Sequence, residues 1–433
     1  MRTELRLDHE PSSDGSSSIV RALLRLSGTP PAAAERIPLN LCLVLDRSGS
    51  MAGAKLENVK AAAVLLAERL WPEDILSVVA YDDVVSTLAE PGTSAEQGEL
   101  RTRLRALEPG GTTNLSGGWL QGRAHVASRA RAARLNRIIL LTDGLANVGI
   151  TDPEQLLGLW MGALEDGITT TTVGVGQDYD EALLRHLADA GGGSTYYIER
   201  PDQAPTVLAA ELEGLLSLSA QNVTVSLRPA RAARLSLIHH SYPSHDLQDG
   251  VRLSMGDLYA RDPRLLLAEF AVSHRAPAGE MEVAEFTVSA DVLSEGGAVE
   301  HREVRLPVRF SPAEGARTDP EVRRELLVQE AARARDEARK AQDEGHYERA
   351  SRTLHETALH LEENDGALDA DLQEEMADLR AMAARFKAGA VAEADRKYLY
   401  QRSYDAMSSK RAGARMTRTW DEDEDEPEVG AGG

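Results

Sequence analysis

The sequence predicts an α/β fold: a doubly wound, mostly parallel sheet, inserted in an antiparallel β-sandwich and followed by an α-helical C-terminal region. Three observations carry that prediction. Apolar runs at 41–45, 75–81, 138–142 and 168–175 alternate with helical stretches near 55–71, 115–134, 153–165, 180–190 and 203–217. Such alternation argues a parallel sheet covered by helices on both faces. After Leu218 the apolar residues recur at every second position, and from 319 at every third or fourth.

Each segment follows from its own residues. Residues 1–37 hold two alternating stretches, Thr3-Glu4-Leu5-Arg6-Leu7 and Ile19 to Leu26, with no sheet of their own to join. They are expected to complete the sandwich formed by 219–312, which makes 38–218 an insertion. Within the insertion, Leu56, Val59, Ala62, Ala63, Leu66 and Leu70 form one apolar stripe between Lys55 and Trp71, the face a helix turns toward a sheet. In 219–312, Val223, Val225 and Leu227 alternate with polar residues. Leu265 to Val272, Met281 to Val292 and Val304 to Phe310 follow, divided by Gly, Pro and Asp. Pro320 opens a helical region, 319–395, rich in Ala, Glu, Arg and Leu, with a long amphipathic helix expected from about Ala367 to Ala394. The chain closes on a polar tail, 407–433, whose run Asp421-Glu422-Asp423-Glu424-Asp425-Glu426 is expected to be solvated and disordered.

Composition bounds the function. The 433 residues carry 70 acidic and 48 basic side chains, a formal charge of −22, which repels nucleic acid and anionic membrane surfaces. No nucleic-acid or membrane partner is expected. Met1 to Asp8 has no apolar signal core and no apolar segment is long enough to span a bilayer, so the expected location is cytoplasmic. Aromatics are only 4%, so the core must rest on Leu, Val, Ile and Ala. The one cysteine, Cys42, lies in an apolar strand and reads as a buried core residue.

Three loops carry the chemistry. Asp46-Arg47-Ser48-Gly49-Ser50 follows the apolar run Leu41 to Leu45, Gly110-Gly111-Thr112-Thr113-Asn114 precedes a helical pattern, and Thr142-Asp143-Gly144 ends a second apolar strand. Strand C-termini in an open parallel sheet converge on one crevice. There these segments would gather the hard oxygen donors that a small divalent cation takes. Alone, the first segment could equally be a helix N-cap and the last a turn. Thr112 competes with Thr113 for the same place. Arg47, Asp82 and Asp83 lie near enough in sequence to rim the surface, and an exposed face explains them equally well.

With these residues in view, the chain resembles the von Willebrand factor A family over roughly 38–218. That family's metal-ion-dependent adhesion site is built from Asp-x-Ser-x-Ser, a later Thr and a later Asp. The resemblance assigns the metal to Asp46, Ser48, Ser50, Thr113 and Asp143, with no ligand position substituted. It implies Mg²⁺, or Mn²⁺ or Ca²⁺, and a protein partner whose Asp or Glu carboxylate completes the metal shell. Met255 to Tyr259 with Arg264 to Leu267 is similar to the strand that follows this domain in bacterial relatives of inter-alpha-inhibitor heavy chains and calcium-activated chloride channel regulators. Gly345 to Ala350 resembles half a tetratricopeptide repeat. With one copy visible, a helical hairpin or small bundle is expected.

Catalytic groups are missing from the motifs. No His lies in the three ligand segments, Ser48 and Ser50 have no evident base, and there is no phosphate loop. No enzyme is expected. His239-His240 with His245 could suggest zinc, but adjacent histidines in a polar loop are expected to be solvated. Two readings remain: an intracellular adaptor that grips a partner's carboxylate through the metal, or the non-catalytic partner of an AAA+ ATPase of chelatase or MoxR type. One of the tail's carboxylates could also take the open metal position.

Overall fold

The computed structural model describes residues 1–11, 17–29, 37–96, 98–131, 134–144, 146–176, 179–198, 200–260, 262–273, 279–293, 299–311, 316–364, 370–389 and 391–408. They form two compact units, one of Met1–Leu326 with the segment from Met407, the other of Leu327–Ala406. The acidic tail lies outside the described residues.

The first unit opens with β1 (Arg2–Pro11) and β2 (Ser17–Ser27), an antiparallel pair. The chain then enters a six-stranded sheet built from β3 (Leu39–Asp46), β4 (Ile75–Tyr81), β5 (Val85–Gly92), β6 (Leu135–Thr142), β7 (Ile168–Val175) and β8 (Gly192–Ile198). Their spatial order is β5-β4-β3-β6-β7-β8. All neighbours run parallel except β4 and β5. Every residue of β3, β4, β6 and β7 is buried. That is why their sequences read as unbroken apolar or Thr-rich runs rather than alternating ones. Helices α1 (Ala54–Arg69), α2 (Leu100–Arg105), α3 (Leu115–Arg129), α4 (Pro153–Glu165), α5 (Glu181–Ala190) and α6 (Ala204–Leu216) connect the strands.

Two small residues draw α3 onto the sheet. A Cβ at Gly118 would lie 2.4 Å from the Tyr81 ring and one at Gly122 would lie 2.6 Å from Val44. The helix therefore approaches β3 and β4 more closely than larger residues would allow, and its N-terminus comes over the end of β3. Farther along α3, Trp119 stacks on Trp160 of α4, with ring centroids 3.7 Å apart, and its indole N–H donates to Thr170 Oγ1 on β7 at 3.2 Å. Both indoles are fully buried, so a chain poor in aromatics places two of them in one contact.

After α6 the chain returns to the sandwich through β9 (Leu218–Pro229), β10 (Ala233–Ile238), β11 (Ser244–Leu247), β12 (Gly250–Tyr259), β13 (Arg264–Ser273), β14 (Met281–Leu293) and β15 (Val299–Phe310). Its sheets have the orders β1-β2-β13-β10 and β11-β12-β9-β14-β15. β2 pairs with β13 from Leu26↔Arg264 to Ser17↔Ser273, so the strands before the parallel sheet and those after it share one ladder. The inward faces meet in a core that includes Val20, Leu24, Val225, Leu266, Phe270 and Phe286. A buried ion pair ties the two parts of this unit together. Arg137 Nη2 on β6 lies 2.5 Å from Asp257 Oδ2 on β12, and neither side chain reaches solvent appreciably.

The second unit takes most of α7 (Pro320–Asp343) with α8 (Tyr347–Glu363), α9 (Ala370–Ala388) and α10 (Glu393–Met407). Where one long helix to Ala394 was expected, α9 ends at Ala388, followed by Gly389 at φ +68°. A further helix then runs past 395 to Met407. Left-handed backbone at glycine is a standard helix terminator, and Gly389 alone marks the break in sequence. The unit is held by the buried Arg335, whose guanidinium meets Asp378 at 2.8 Å and also Glu375. Tyr398 donates to the other oxygen of Asp378 at 2.7 Å.

Candidate metal-binding site

The C-terminal ends of β3, β4, β6 and β7 lie on one rim of the parallel sheet, in the register Asp46↔Tyr81, Leu45↔Leu141 and Thr142↔Gly174. Three backbone hydrogen bonds fix the loops that rise from it. Arg47 N donates to Tyr81 O at 2.8 Å, Gly110 N to Arg47 O at 2.7 Å, and Gly49 N to Gly111 O at 2.9 Å. The loop after β3 and the loop before α3 are thereby one structure, although they are sixty residues apart in sequence.

All five residues singled out in the sequence meet here. Asp46, the last residue of β3, is fully buried; its Oδ1 accepts from the Ser48 amide at 2.8 Å and its Oδ2 from Thr142 Oγ1 at 2.6 Å. Ser48 Oγ and Ser50 Oγ are 3.2 Å apart, and Ser50 Oγ donates to Asp143 Oδ1 at 2.7 Å. Thr113 is buried while Thr112 is exposed. The Thr113 amide donates to Asn147 Oδ1 at 2.9 Å. A Cβ at Gly144 would lie 3.2 Å from Thr113 Oγ1 and 3.8 Å from Ser50 Oγ, so those two hydroxyls flank the backbone just after Asp143.

The electrostatics are those of a site short of positive charge. Burial pushes the Asp46 carboxyl above its ordinary value. The Ser48 and Thr142 hydroxyls and the Ser48 amide offset part of this, and the nearby Asp143 adds to it. Among the described residues no Lys, Arg or His pairs with Asp46. Buried carboxylates are normally paired or bind a cation, and the surrounding donors are all oxygens, the set that Mg²⁺, Mn²⁺ or Ca²⁺ prefers. No group of three or more His, Cys, Asp or Glu that could hold a metal occurs among the described residues. A site of hydroxyls and two carboxylates is of a different kind.

Several neighbours differ from the sequence reading. Asp82 is not part of an exposed rim. It is buried and accepts from the Val84 amide at 2.8 Å, the Gly111 amide at 3.1 Å and Arg47 Nη2 at 3.1 Å. Burial works against its ionisation, but those two amides and the guanidinium outweigh it and hold the carboxyl below its usual value. A Cβ at Gly110 would fall 1.6 Å from Asp82 Oδ2, which explains the glycine. His239 and His240 are buried rather than solvated. His240 Nδ1 accepts from the Leu267 amide at 3.1 Å, which leaves the proton on Nε2, facing Glu325 Oε1 at 3.3 Å. His245 is exposed on β11, so the three do not form one site. The Cys42 thiol is buried and pushed up to about 12 by that burial, with a hydrogen bond to Ser77 acting the other way. Thr142, Asn147 and Lys55 were not singled out in the sequence. Thr142 had one signal, a hydroxyl directly before Asp143 in an otherwise apolar strand.

A doubly wound sheet with helices on both faces and a polar, oxygen-lined rim at its strand C-termini is the arrangement in which open α/β folds bind their ligands. Residues 40–210 match the sequence profile of the von Willebrand factor type A domain. Among curated relatives it is 30% identical over 270 residues to an uncharacterised protein, sll0103, of Synechocystis sp., covering 60% of this chain and 63% of the relative. It is 32% identical over 197 residues to the uncharacterised protein YfbK of Escherichia coli, 45% of this chain and 34% of the relative. The human inter-alpha-trypsin inhibitor heavy chain H3 is 32% identical over 160 residues, 35% of this chain and 18% of the relative. The matches thus span less than two thirds of these relatives' lengths. In fold, the chain is similar to a von Willebrand factor type A protein from Catenulispora acidiphila, with TM-score 0.70, 17% identity, and 95% and 97% of the two chains covered. It is also similar to the ArnB paralog VWA2 from Sulfolobus acidocaldarius, with TM-score 0.60, 19% identity, and 94% and 98% covered. Domains of this type commonly mediate protein–protein interactions. No helix among the described residues is long and apolar enough to cross a membrane.

Proposed function

We propose that this chain is a metal-dependent protein-binding adaptor in which Asp46, Ser48, Ser50, Thr113 and Asp143 hold a divalent cation, Mg²⁺ or alternatively Mn²⁺ or Ca²⁺. The observation that carries this reading is the fully buried Asp46 carboxylate, which no Lys, Arg or His among the described residues pairs with, beside the Ser48 and Ser50 hydroxyls, the latter held by Asp143, on a loop fixed by the Gly49–Gly111 hydrogen bond. When bound, such a cation supplies an electrophilic position for one more anionic oxygen.

The chain's own residues set how that position is presented. Asp46 and Thr142 anchor one side through a 2.6 Å hydrogen bond, and Asp82 braces the loop that carries Thr113. Neutral hydroxyls supply three of the five donors and the chain offers no third carboxylate in this set, so a coordination position is left for a partner's Asp or Glu. The test is capture of partners from the source cell by wild type and Asp46→Ala, with and without EDTA. Partners lost on chelation and absent from Asp46→Ala support the reading. Identical sets in all arms overturn it, and retention that requires ATP points instead to the AAA+ partner.

A further inference from the structure

We propose that Lys55 is a positioning residue that reserves the site's charge for the incoming carboxylate, an inference that rests on the metal reading above. Lys55 Nζ lies 2.6 Å from Asp143 Oδ2. The other oxygen of the same carboxylate, Oδ1, accepts from Ser50 Oγ at 2.7 Å. Asp143 is completely buried and the lysine side chain is one-fifth exposed. One oxygen of Asp143 therefore faces the hydroxyl cluster and the other is already taken by an ammonium.

The lysine is built into this place. Gly176, at the end of β7, has φ +81°, and a Cβ there would lie 2.9 Å from Lys55 Cε and 3.2 Å from Nζ, so the strand end is shaped around the side chain. Lys55 is also the second residue of α1. A cation in the first turn of a helix is disfavoured by the helix dipole, so local helix preference does not account for it.

The consequence is a matter of charge. The Lys55 ammonium places one positive charge beside Asp143, and its removal makes the site more negative by one unit whatever else surrounds it. Lys55 thus weakens the hold on the metal and strengthens the hold on an anionic ligand. Opposite effects on two affinities are not what a lysine that only ties α1 to the sheet would give.

The experiment uses the full chain, with Mn²⁺ binding read by electron paramagnetic resonance and acetate binding to the Mn²⁺ form read by the fall in water-proton relaxivity. Lys55→Met keeps length and loses charge; it should bind Mn²⁺ about tenfold more tightly and acetate about tenfold more weakly, the scale of one unit charge at an effective dielectric near 20 after screening. Lys55→Arg should follow wild type in both. Changes in the same direction, no change in either, or Lys55→Arg behaving as Lys55→Met would overturn the proposal. Lys55→Gln replaces Lys55→Met in the comparison where the latter does not fold. Wild type that takes up no Mn²⁺ refutes the metal reading itself, whereas wild type that binds Mn²⁺ with Lys55→Met unchanged refutes only the role of Lys55.

Discussion

Replacing Asp82 tests whether the candidate site is a braced structure or a set of loops that happen to meet. The carboxylate accepts from two backbone amides, Val84 at 2.8 Å and Gly111 at 3.1 Å, and from Arg47 Nη2 at 3.1 Å. Hydrogen bonds to a charged group contribute about 1.5–3 kcal/mol each. Arg47 is partly exposed and regains water, and the loop amides are only part-buried, so the sum is discounted to about 3 kcal/mol for Asp82→Ala. Asp82→Asn keeps the shape but must turn an NH₂ toward one of these donors, and should cost about 2 kcal/mol or more. The pH dependence follows from the depressed carboxyl. A group whose folded pKa lies below its unfolded value stabilises above the unfolded value, ordinarily 3.8 for this residue, and that stability is lost as pH falls through the folded value. The gap between wild type and Asp82→Asn should therefore be flat from about pH 7 to 5 and shrink below about pH 4. Urea unfolding followed by tryptophan fluorescence, with Trp119 and Trp160 as reporters, reads both. A loss below about 0.5 kcal/mol, or a gap unchanged at pH 3, would refute the brace.

Three further outcomes follow. Gly110→Ala should destabilise by about 1–3 kcal/mol in the same unfolding assay, because its Cβ would overlap the fixed Asp82 carboxylate. Arg137→Met leaves the buried Asp257 unpaired and should cost about 3–5 kcal/mol, while Arg137→Met with Asp257→Leu should recover much of that loss. Trp160→Ala opens a cavity beneath Trp119 and should cost about 3–5 kcal/mol, seen as a lowered urea midpoint together with a shifted Trp119 emission.

Legibility in the sequence tracked burial. β3, β4, β6 and β7 are buried along their whole length, so their sequences were continuous runs and the parallel sheet could be read directly. The edge strands escaped notice. β5 ends in Pro91-Gly92 and β8 opens on Gly192-Gly193, residues that weaken any strand pattern and are tolerated at an edge. At the site, the five oxygen donors stood out because each is a polar residue closing an apolar segment or a glycine turn. Asp82, Thr142 and Lys55 act through Arg47, Asp46 and Asp143, which lie 35, 96 and 88 residues away, a relation that no local pattern records. His239 and His240 failed for the same reason: their partners, Leu267 and Glu325, come from other elements, and adjacency alone suggested solvent.

The central claim is one divalent cation held by five named residues. Titration of the full chain with Mn²⁺, with free Mn²⁺ measured by electron paramagnetic resonance and displacement by Mg²⁺ as control, tests it most directly. The account predicts about one ion per chain in wild type, uptake lost in Asp46→Ala, and affinity lowered at least about tenfold in Ser48→Ala, Ser50→Ala and Thr113→Ala. Equal uptake by wild type and Asp46→Ala, or no uptake by wild type, would contradict it.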